Sequence, residues 1–203
     1  MTSLIVKSEK ISLPIDLSAL ISTQQMSYRQ FCEFCRTNPE LRIERSASGE
    51  VTVMPPAFAD TGNRNFKIAQ QIGNWADKNN TGEVFDSSAG FTLPNGATLS
   101  PDAAWIQSER WQALSPEEQA SFAPISPDFV VELRSSSDSL IRLQEKMEEY
   151  MANGVRLGLL IDRKSCQVRV YRPHKPPEIL NNPEFVNCEP ELPGFRLKMR
   201  QIW

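Results

Sequence analysis

Apolar side chains recur along the chain with two different periods, and each period predicts one kind of element. Helical spacing predicts a helix that follows Ser27, longer helices over about 62–78 and 139–153, and a short one at 115–118. Alternation, or a short apolar run, predicts strands at 41–45, 50–53, 84–85, 90–93, 97–106, 129–131, 157–161, 166–171 and 194–199.

The order of these elements indicates the fold class. A helix and a hairpin come first, followed by a helix, strands, a second long helix and more strands. This order is typical of an α/β (α+β) protein with a mixed central β-sheet flanked by helices. The chain has 203 residues, the length of one domain. We expect residues 1–26 to be an N-terminal lead-in and residues 27–203 to form a single domain.

Local signals predict where several elements begin or break. Ser27 and Gln30 have the spacing of a capping box. The polar run 135–138 is predicted to cap the helix that follows it. Pro101 lies in the middle of the predicted strand 97–106, and a proline there indicates an edge, a bulge or a kink.

The composition excludes some classes of protein but does not indicate an activity. Hydrophobic residues make up 40% and charged residues 23% of the chain, as in ordinary soluble globular proteins. The net charge of −3 argues against a protein that holds nucleic acid by charge alone. Residues 156–203 are locally basic, with nine Lys/Arg against five Asp/Glu. No apolar run has membrane length and no secretory leader is present, which predicts a cytoplasmic protein without membrane contact.

The cysteines and the single histidine do not have metal-site spacing. Cys32 and Cys35 form a CxxC pair, but no second pair lies near it. Phenylalanines flank both cysteines, so we expect the pair to pack in a core. His174 lies in a proline-rich loop, and we expect it to be exposed.

Two charged residues follow the apolar run 129–131, where a buried strand should end. Glu132 comes directly after the run and Arg134 two residues later, and side chains two apart on a strand share a face. Burying either charge without a partner, a metal or water is costly. The two residues are therefore either a salt bridge or half of a metal site.

Lys146 is the other unusual charge. It lies three residues after Leu143 and four before Tyr150, so it borders the apolar face of the predicted helix. Its stem either covers the core with the ammonium group in water, or the side chain points to the sheet and has a role there.

Two carboxylates and a cation are the groups that metal-assisted phosphodiester hydrolysis needs. A metal acidifies its bound water, Mg²⁺ prefers carboxylate oxygens, and a nearby cation stabilises charge on the phosphoryl group. The Pro-Asp dipeptides supply Asp102 and Asp128. Asp102 and Glu132 would hold the ion, and Lys146 or Arg134 would supply the cation. The alternative is that these charges form structural ion pairs.

Several stretches in the same order resemble one family. They run from about Ser27 to Trp203 and read LRIERSASGEVTVMPP, TGNRNFKIAQQIGNWA, GFTLPNGATLSPDAAWI, PDFVV, ELRSSSDSLIRLQEKMEEYMANGVRLGLLID and LPGFRLKMRQIW. Together they resemble the Uma-type family of restriction endonuclease-like proteins, a former family of unknown function in the PD-(D/E)XK nuclease superfamily. The resemblance implies a restriction endonuclease-like fold and Mg²⁺-dependent (or Mn²⁺-dependent) cleavage of DNA. A homodimer is expected by analogy with nucleases that cut both strands.

The resemblance also implies roles for single residues. Asp102 would be the metal-binding aspartate and Glu132 the second acid. The superfamily signature has a lysine two residues after that acid, where this chain has Arg134, which is too basic to act as a general base. In families of this kind the lysine comes from the following helix, which indicates Lys146. Glu44 lies where the family often has an acid, and it is either an outer metal ligand or an exposed strand charge.

Five further polar or aromatic residues carry secondary expectations. Asn65, Gln71 and Trp75 lie on the helix that this fold packs beside the site. Asn65 would face the metal-bound water, or cap the helix, or lie on the surface. Asp128 and Asp162 are predicted to have local roles at strand ends.

Two rival functions follow from the same residues. The acidic composition and Arg134 are compatible with a degenerate nuclease-fold module that binds DNA or protein without cutting. A structural dimerisation domain without a nucleic-acid role is the second rival. The convergence of Asp102, Glu132 and Lys146 would favour the nuclease over both.

Overall fold

The structure is a computed structural model, which describes residues 25–203 in full and the backbone of residues 3–6 and 9–12. Most of the predicted lead-in, residues 1–26, lies outside the described residues. The chain divides into two compact units, Met1–Pro56 with Asn95–Leu99 and Ala57–Pro94 with Ser100–Trp203. The single domain expected over residues 27–203 stays a prediction.

Helices and strands follow one another through the described residues. The strands are β1 (Ser3–Val6), β2 (Glu9–Ser12), β3 (Arg42–Arg45), β4 (Val51–Met54), β5 (Gly82–Asp86), β6 (Phe91–Thr92), β7 (Thr98–Leu99), β8 (Ala103–Gln107), β9 (Phe129–Leu133), β10 (Leu157–Asp162), β11 (Gln167–Tyr171), β12 (Glu178–Asn181), β13 (Phe185–Asn187) and β14 (Arg196–Lys198). The helices are α1 (Tyr28–Thr37), α2 (Ala59–Asn79), α3 (Ser108–Gln112), α4 (Pro116–Gln119) and α5 (Leu140–Ala152). Among the described residues, no helix combines the length and the apolar character that crossing a bilayer requires.

The first unit holds the predicted hairpin of β3 and β4, and β7 pairs with β3. α1 begins with the predicted capping box, in which Ser27 Oγ accepts from the Gln30 N–H and Gln30 Oε1 accepts from the Ser27 N–H. The buried guanidinium group of Arg45 donates to the carbonyl oxygens of Met26 and Gly96, each at 2.6 Å. One arginine thus connects the start of α1 with β3 and the turn before β7.

The second unit is built on a six-stranded sheet in the order β12-β11-β10-β9-β8-β5. β9 and β10 run parallel, and the other neighbouring pairs are antiparallel. α5 connects the two parallel strands, because parallel neighbours cannot be joined by a tight turn. The mixed sheet with flanking helices confirms the predicted fold class.

The central strand β9 has two buried faces with different neighbours. Phe129 and Val131 belong to the main core, which includes the apolar side of α2. Side chains alternate along a strand, so Glu132 points to the other face. On that face Met147 of α5 covers Gly158 of β10, where an added Cβ would collide with the methionine methyl group. Glu132 is therefore directed at α5.

Two local predictions, one about a strand and one about a helix cap, differ from the structure. The strand predicted over 97–106 is divided into β7 and β8, because Pro101 has no N–H to donate to a ladder. The polar run predicted to cap α5 does not cap it: the N-cap is Ser139, without a side-chain hydrogen bond. Asp138 instead accepts from the Ser135 N–H at 2.7 Å and closes a turn.

We expect Gly82→Ala to lower the free energy of unfolding by about 1–3 kcal/mol, because a Cβ there would collide with the carbonyl oxygen of Ile106. Gly73→Ala is the matched control. It lies inside α2 with open space around its Cα, so alanine should raise stability by up to about 1 kcal/mol. Urea unfolding measures the free energy of unfolding of both variants. Equal changes in the two would contradict the close packing of β5 against β8.

Candidate functional site

Glu132 and Lys146 form a buried ion pair in the second unit. Lys146 Nζ lies 2.8 Å from Glu132 Oε1, and the two side chains are 15% and 5% exposed. The hydroxyl of buried Tyr150 donates to the same oxygen at 3.2 Å. Lys146 and Tyr150 are four residues apart on α5, so the helix presents both to the carboxylate. The sequence expectation omitted Tyr150, although its i+4 relation to Lys146 was a usable signal.

Lys146 also contacts the backbone where the chain enters β8. Its Nζ donates to the carbonyl oxygen of Ser100 at 3.1 Å, two residues before Asp102. The ammonium group lies 5.8 Å from the centre of the Tyr150 ring, within the range of a cation–π contact. The lysine that borders the apolar helix face thus points to the sheet.

Asp102 is held by hydrogen bonds to both of its carboxylate oxygens. Oδ1 accepts from Asn65 Nδ2 of α2 at 2.7 Å, and Oδ2 accepts from the backbone N–H of Leu133 at 2.8 Å. Leu133 directly follows Glu132 on β9. Asp102 is therefore attached to the same strand end that carries the second acid.

The register of β8 and β9 indicates how close the two acids lie. Ala103 pairs with Val131 in this antiparallel ladder. Continuing the register by one position makes Asp102 face Glu132. Facing residues of such a ladder have Cβ atoms about 4.5–5.5 Å apart, so the structure brings Asp102, Glu132 and Lys146 to one end of β9.

Asn65 contributes an amide oxygen to the region around Asp102. The residue is 7% exposed, and its Oδ1 is buried without a hydrogen-bond partner in the described structure. Its Nδ2 binds Asp102, so the surface and cap roles considered from the sequence do not describe it. A buried acceptor without a donor is uncommon and calls for an explanation such as water or an ion.

Arg134 belongs to a different ion pair. Its Nη1 lies 3.0 Å from Asp162 Oδ2, and its Nε donates to the carbonyl oxygen of Asp138. Burial alone would raise the pKa of Asp162, but the Ser165 hydroxyl, the Arg134 charge and the Lys164 N–H outweigh burial and lower that pKa. The arginine in the signature position thus stabilises the end of β10, and Asp162 has the strand-end location expected from the sequence.

Asp128 is held between two arginines and a backbone N–H, although its Oδ1, like that of Asn65, is buried without a hydrogen-bond partner in the described structure. Its carboxylate lies 2.8 Å from Arg110 Nη1 and 3.6 Å from Arg156 Nη1, and it accepts from the Gln107 N–H at 3.0 Å. The side chain is 2% exposed. These contacts fit the local strand role predicted for Asp128 and hold the start of β9 against the end of β8.

Gln71 and Trp75 connect α2 to the C-terminal segment. The Gln71 side chain bonds to both the N–H and the carbonyl of Lys198, at 2.8 and 3.1 Å. Trp75 Nε1 donates to the Pro193 carbonyl at 3.0 Å, and its ring packs against Trp105. Both side chains therefore have structural partners.

The remaining candidates are Glu44, the cysteine pair and His174. Glu44 is half-buried on β3 of the first unit, opposite Thr52, and its role as a metal ligand stays a prediction. Burial raises the pKa of the Cys35 thiol to about 11, which disfavours the thiolate that binds zinc. His174 is exposed, as expected. Within the described ranges, no group of three or more His, Cys, Asp or Glu side chains is placed to hold a metal ion.

We expect Asp162→Asn to lower the free energy of unfolding by about 2 kcal/mol at pH 7, because hydrogen bonds to a charged group are lost. The folded-state pKa of Asp162 is lowered, so its contribution is present above the ordinary pKa of about 3.9 and disappears as the pH falls through the folded value. Urea unfolding between pH 7 and pH 3 should show the difference shrinking towards acid.

Asp77→Asn is the control for that series, since Asp77 is exposed on α2 and should leave the unfolding free energy nearly unchanged. A difference between wild type and Asp162→Asn that stays constant with pH would contradict the charged pair.

Comparisons with known proteins agree with this architecture. A family model named Uma2 and described as "Putative restriction endonuclease" matches residues 27–200. A solved structure from Anabaena variabilis ATCC 29413, described as "a putative nuclease belonging to DUF820", has a TM-score of 0.70 at 17% identity and covers 93% of this chain and 97% of its own. No curated protein matches the chain. At 17% identity the structural likeness concerns the fold alone. The family match spans most of the sequence, and the chain therefore belongs to the Uma2 family, as its quoted stretches implied.

Proposed function

We propose that the protein is a Mg²⁺-dependent (or Mn²⁺-dependent) endonuclease that hydrolyses phosphodiester bonds in DNA. Membership of a restriction endonuclease family and the nuclease-like fold support nuclease function in general. The observation that carries the specific proposal is the gathering of Asp102, Glu132 and Lys146 at one end of β9. The expected homodimer remains a prediction.

The donor set suits Mg²⁺ or Mn²⁺ better than zinc. Mg²⁺ is often held by one or two carboxylates and completes its shell with water and substrate phosphate. Asp102 and Glu132 offer two carboxylates, and Asn65 Oδ1 is a buried oxygen without a donor beside them. Zinc would instead require three or four nitrogen, sulfur or oxygen ligands from the protein.

Each side chain of the site has a separate task in this proposal. Asp102 and Glu132 would hold the ion, which when bound acidifies a water molecule and neutralises phosphate charge. The Lys146 ammonium group stands beside Glu132 and would stabilise negative charge that develops on the phosphoryl group. Asn65 and Tyr150 orient the two carboxylates through their hydrogen bonds.

The same contacts also fit a nuclease-fold protein that binds without cutting. Lys146 already neutralises Glu132 in a buried pair, and the lysine position of the simple signature is an arginine held by Asp162. Such pairs occur in proteins for structural reasons alone. Activity and metal binding therefore need separate tests.

We expect the purified protein to nick supercoiled plasmid in Mg²⁺, and Asp102→Asn or Lys146→Met to slow nicking about 100-fold or more. Asp162→Asn is the matched control, since it breaks an ion pair on the neighbouring strand and should change the rate little. Circular dichroism verifies folding, because removing one partner of the buried pair costs about 3–5 kcal/mol. If all variants nick plasmid as fast as wild type, the activity belongs to another site or to a contaminating protein.

Metal binding can be measured without DNA, from its effect on thermal stability. At a Mg²⁺ concentration 100 times the dissociation constant, we expect stabilisation by about 2.7 kcal/mol, roughly 5–10 °C in melting temperature for a chain of this size. Thermal unfolding with and without Mg²⁺ should show this shift in wild type and in Asp162→Asn. Asp102→Asn and Glu132→Gln should lose most of it. An equal shift of the melting temperature in all four proteins would contradict the proposed metal site.

A further inference from the structure

A basic groove lies on the second unit, and none of its lining residues belongs to the carboxylate site. It has a volume of about 830 Å³ and is bounded by the second half of α2, the β13–β14 hairpin and the C-terminal segment. The cations that line it, here called the basic groove residues, are Lys78, Arg196, Lys198 and Arg200. All four are exposed.

Exposed and buried residues alternate along the segment that carries three of these cations. Arg196, Lys198 and Arg200 are spaced two residues apart, whereas Leu197 and Met199 between them are fully buried. Side chains alternate across a strand, so within β14 Leu197 faces the core while Arg196 and Lys198 face the groove. Arg200 follows β14 in a turn and lines the same groove. The bonds from the Gln71 side chain to the backbone of Lys198 hold β14 beside α2 and fix the floor of the groove.

The positive charge in the groove is not balanced locally. No Asp or Glu is among the described residues that line it. Across the part of the chain that the structure describes, the four cations form no ion pair, and Arg196 stacks on the Phe185 ring at 4.6 Å. The rest of the chain has 18 Lys/Arg against 25 Asp/Glu. A cationic groove in an otherwise acidic protein is suited to a polyanion.

The other lining residues favour a sugar–phosphate backbone over unstacked bases. Gln70, Asn74 and Gln201 supply amide groups of the kind that bind phosphate oxygens. Of the three aromatic rings that line the groove, Trp75 and Phe195 are packed into the core, and Phe185 is half-buried with the Arg196 guanidinium group 4.6 Å from its ring centre, so no fully exposed ring is available for base stacking. Single-strand binding normally uses exposed aromatic platforms, so the occupant that fits is duplex DNA.

We propose that the basic groove residues bind the phosphodiester backbone of duplex DNA outside the carboxylate site and hold the duplex on the enzyme. This inference rests on the proposed nuclease function for its choice of polyanion. Four phosphate contacts would also explain how a chain with net charge −3 holds DNA.

The test measures binding of a fluorescently labelled 20-base-pair duplex by anisotropy in EDTA, where cleavage is prevented. Arg196→Gln with Arg200→Gln removes two groove charges. Arg29→Gln with Lys175→Gln removes two exposed charges elsewhere and is the matched control. We expect the groove variant to lose about 10-fold or more in affinity and the salt slope, d log K/d log[salt], to fall by about 2 in magnitude. The control should match wild type.

Equal losses in both double variants would overturn the inference, since they would reflect net charge alone. An unchanged affinity in a folded groove variant, or displacement of the duplex by single-stranded DNA at equal concentration, would overturn it as well. The plasmid assay separates this inference from the proposed function. Nicking by a wild-type protein whose groove variant binds normally would refute the groove alone, whereas groove-dependent binding without nicking would refute the catalytic proposal alone.

Discussion

A carboxylate buried in the middle of a sheet requires a cation, and this requirement shapes the second unit. Glu132 lies on the central strand with its side chain 5% exposed, and Lys146 reaches it from α5 at 2.8 Å. The crossover helix must therefore pack with Lys146 and Tyr150 towards β9, while Met147 covers Gly158 of β10. Burial of an isolated carboxylate would cost several kcal/mol. Fold and candidate site depend on the same contact.

Three ion pairs form at the ends of the strands, and they differ in the groups that surround them. Arg134 is committed to Asp162 and Arg110 to Asp128, so these pairs stabilise β10 and the start of β9. The Glu132–Lys146 pair lies beside a second acid, Asp102, which reaches the backbone of Leu133. A pair that adjoins another carboxylate and an unsatisfied amide oxygen has the composition of a hard-cation site. The Arg110–Asp128 pair also has a buried oxygen without a hydrogen-bond partner, Asp128 Oδ1, but neither of the other two pairs has a second carboxylate group among its described side-chain contacts.

The two positive regions of the second unit differ in their surroundings. Lys146 is enclosed and neutralised by Glu132, whereas the cations on β14 and α2 are exposed and not balanced by a lining acid. An enclosed cation can act on one phosphoryl group, and an exposed row can hold an extended backbone. In the proposed function, this division would separate the carboxylates that hold the metal from the cations that hold the DNA backbone.

Periodicity and turn signals determined most of the elements from the sequence alone, because they depend on neighbouring residues. The α1 capping box, the β3–β4 hairpin, the buried strands β9 and β10 and the long helices were all predictable, and Lys146 was placed at the border of the apolar face of α5. The short elements α3, β12 and β13 were missed because each contains too few residues to show a periodic pattern. Only the tertiary structure decided the partners: Arg134 with Asp162, Asn65 with Asp102 and Tyr150 with Glu132. These residues are 18 to 37 positions apart in their pairs, and such contacts are set by strand order and helix packing, which no local pattern specifies.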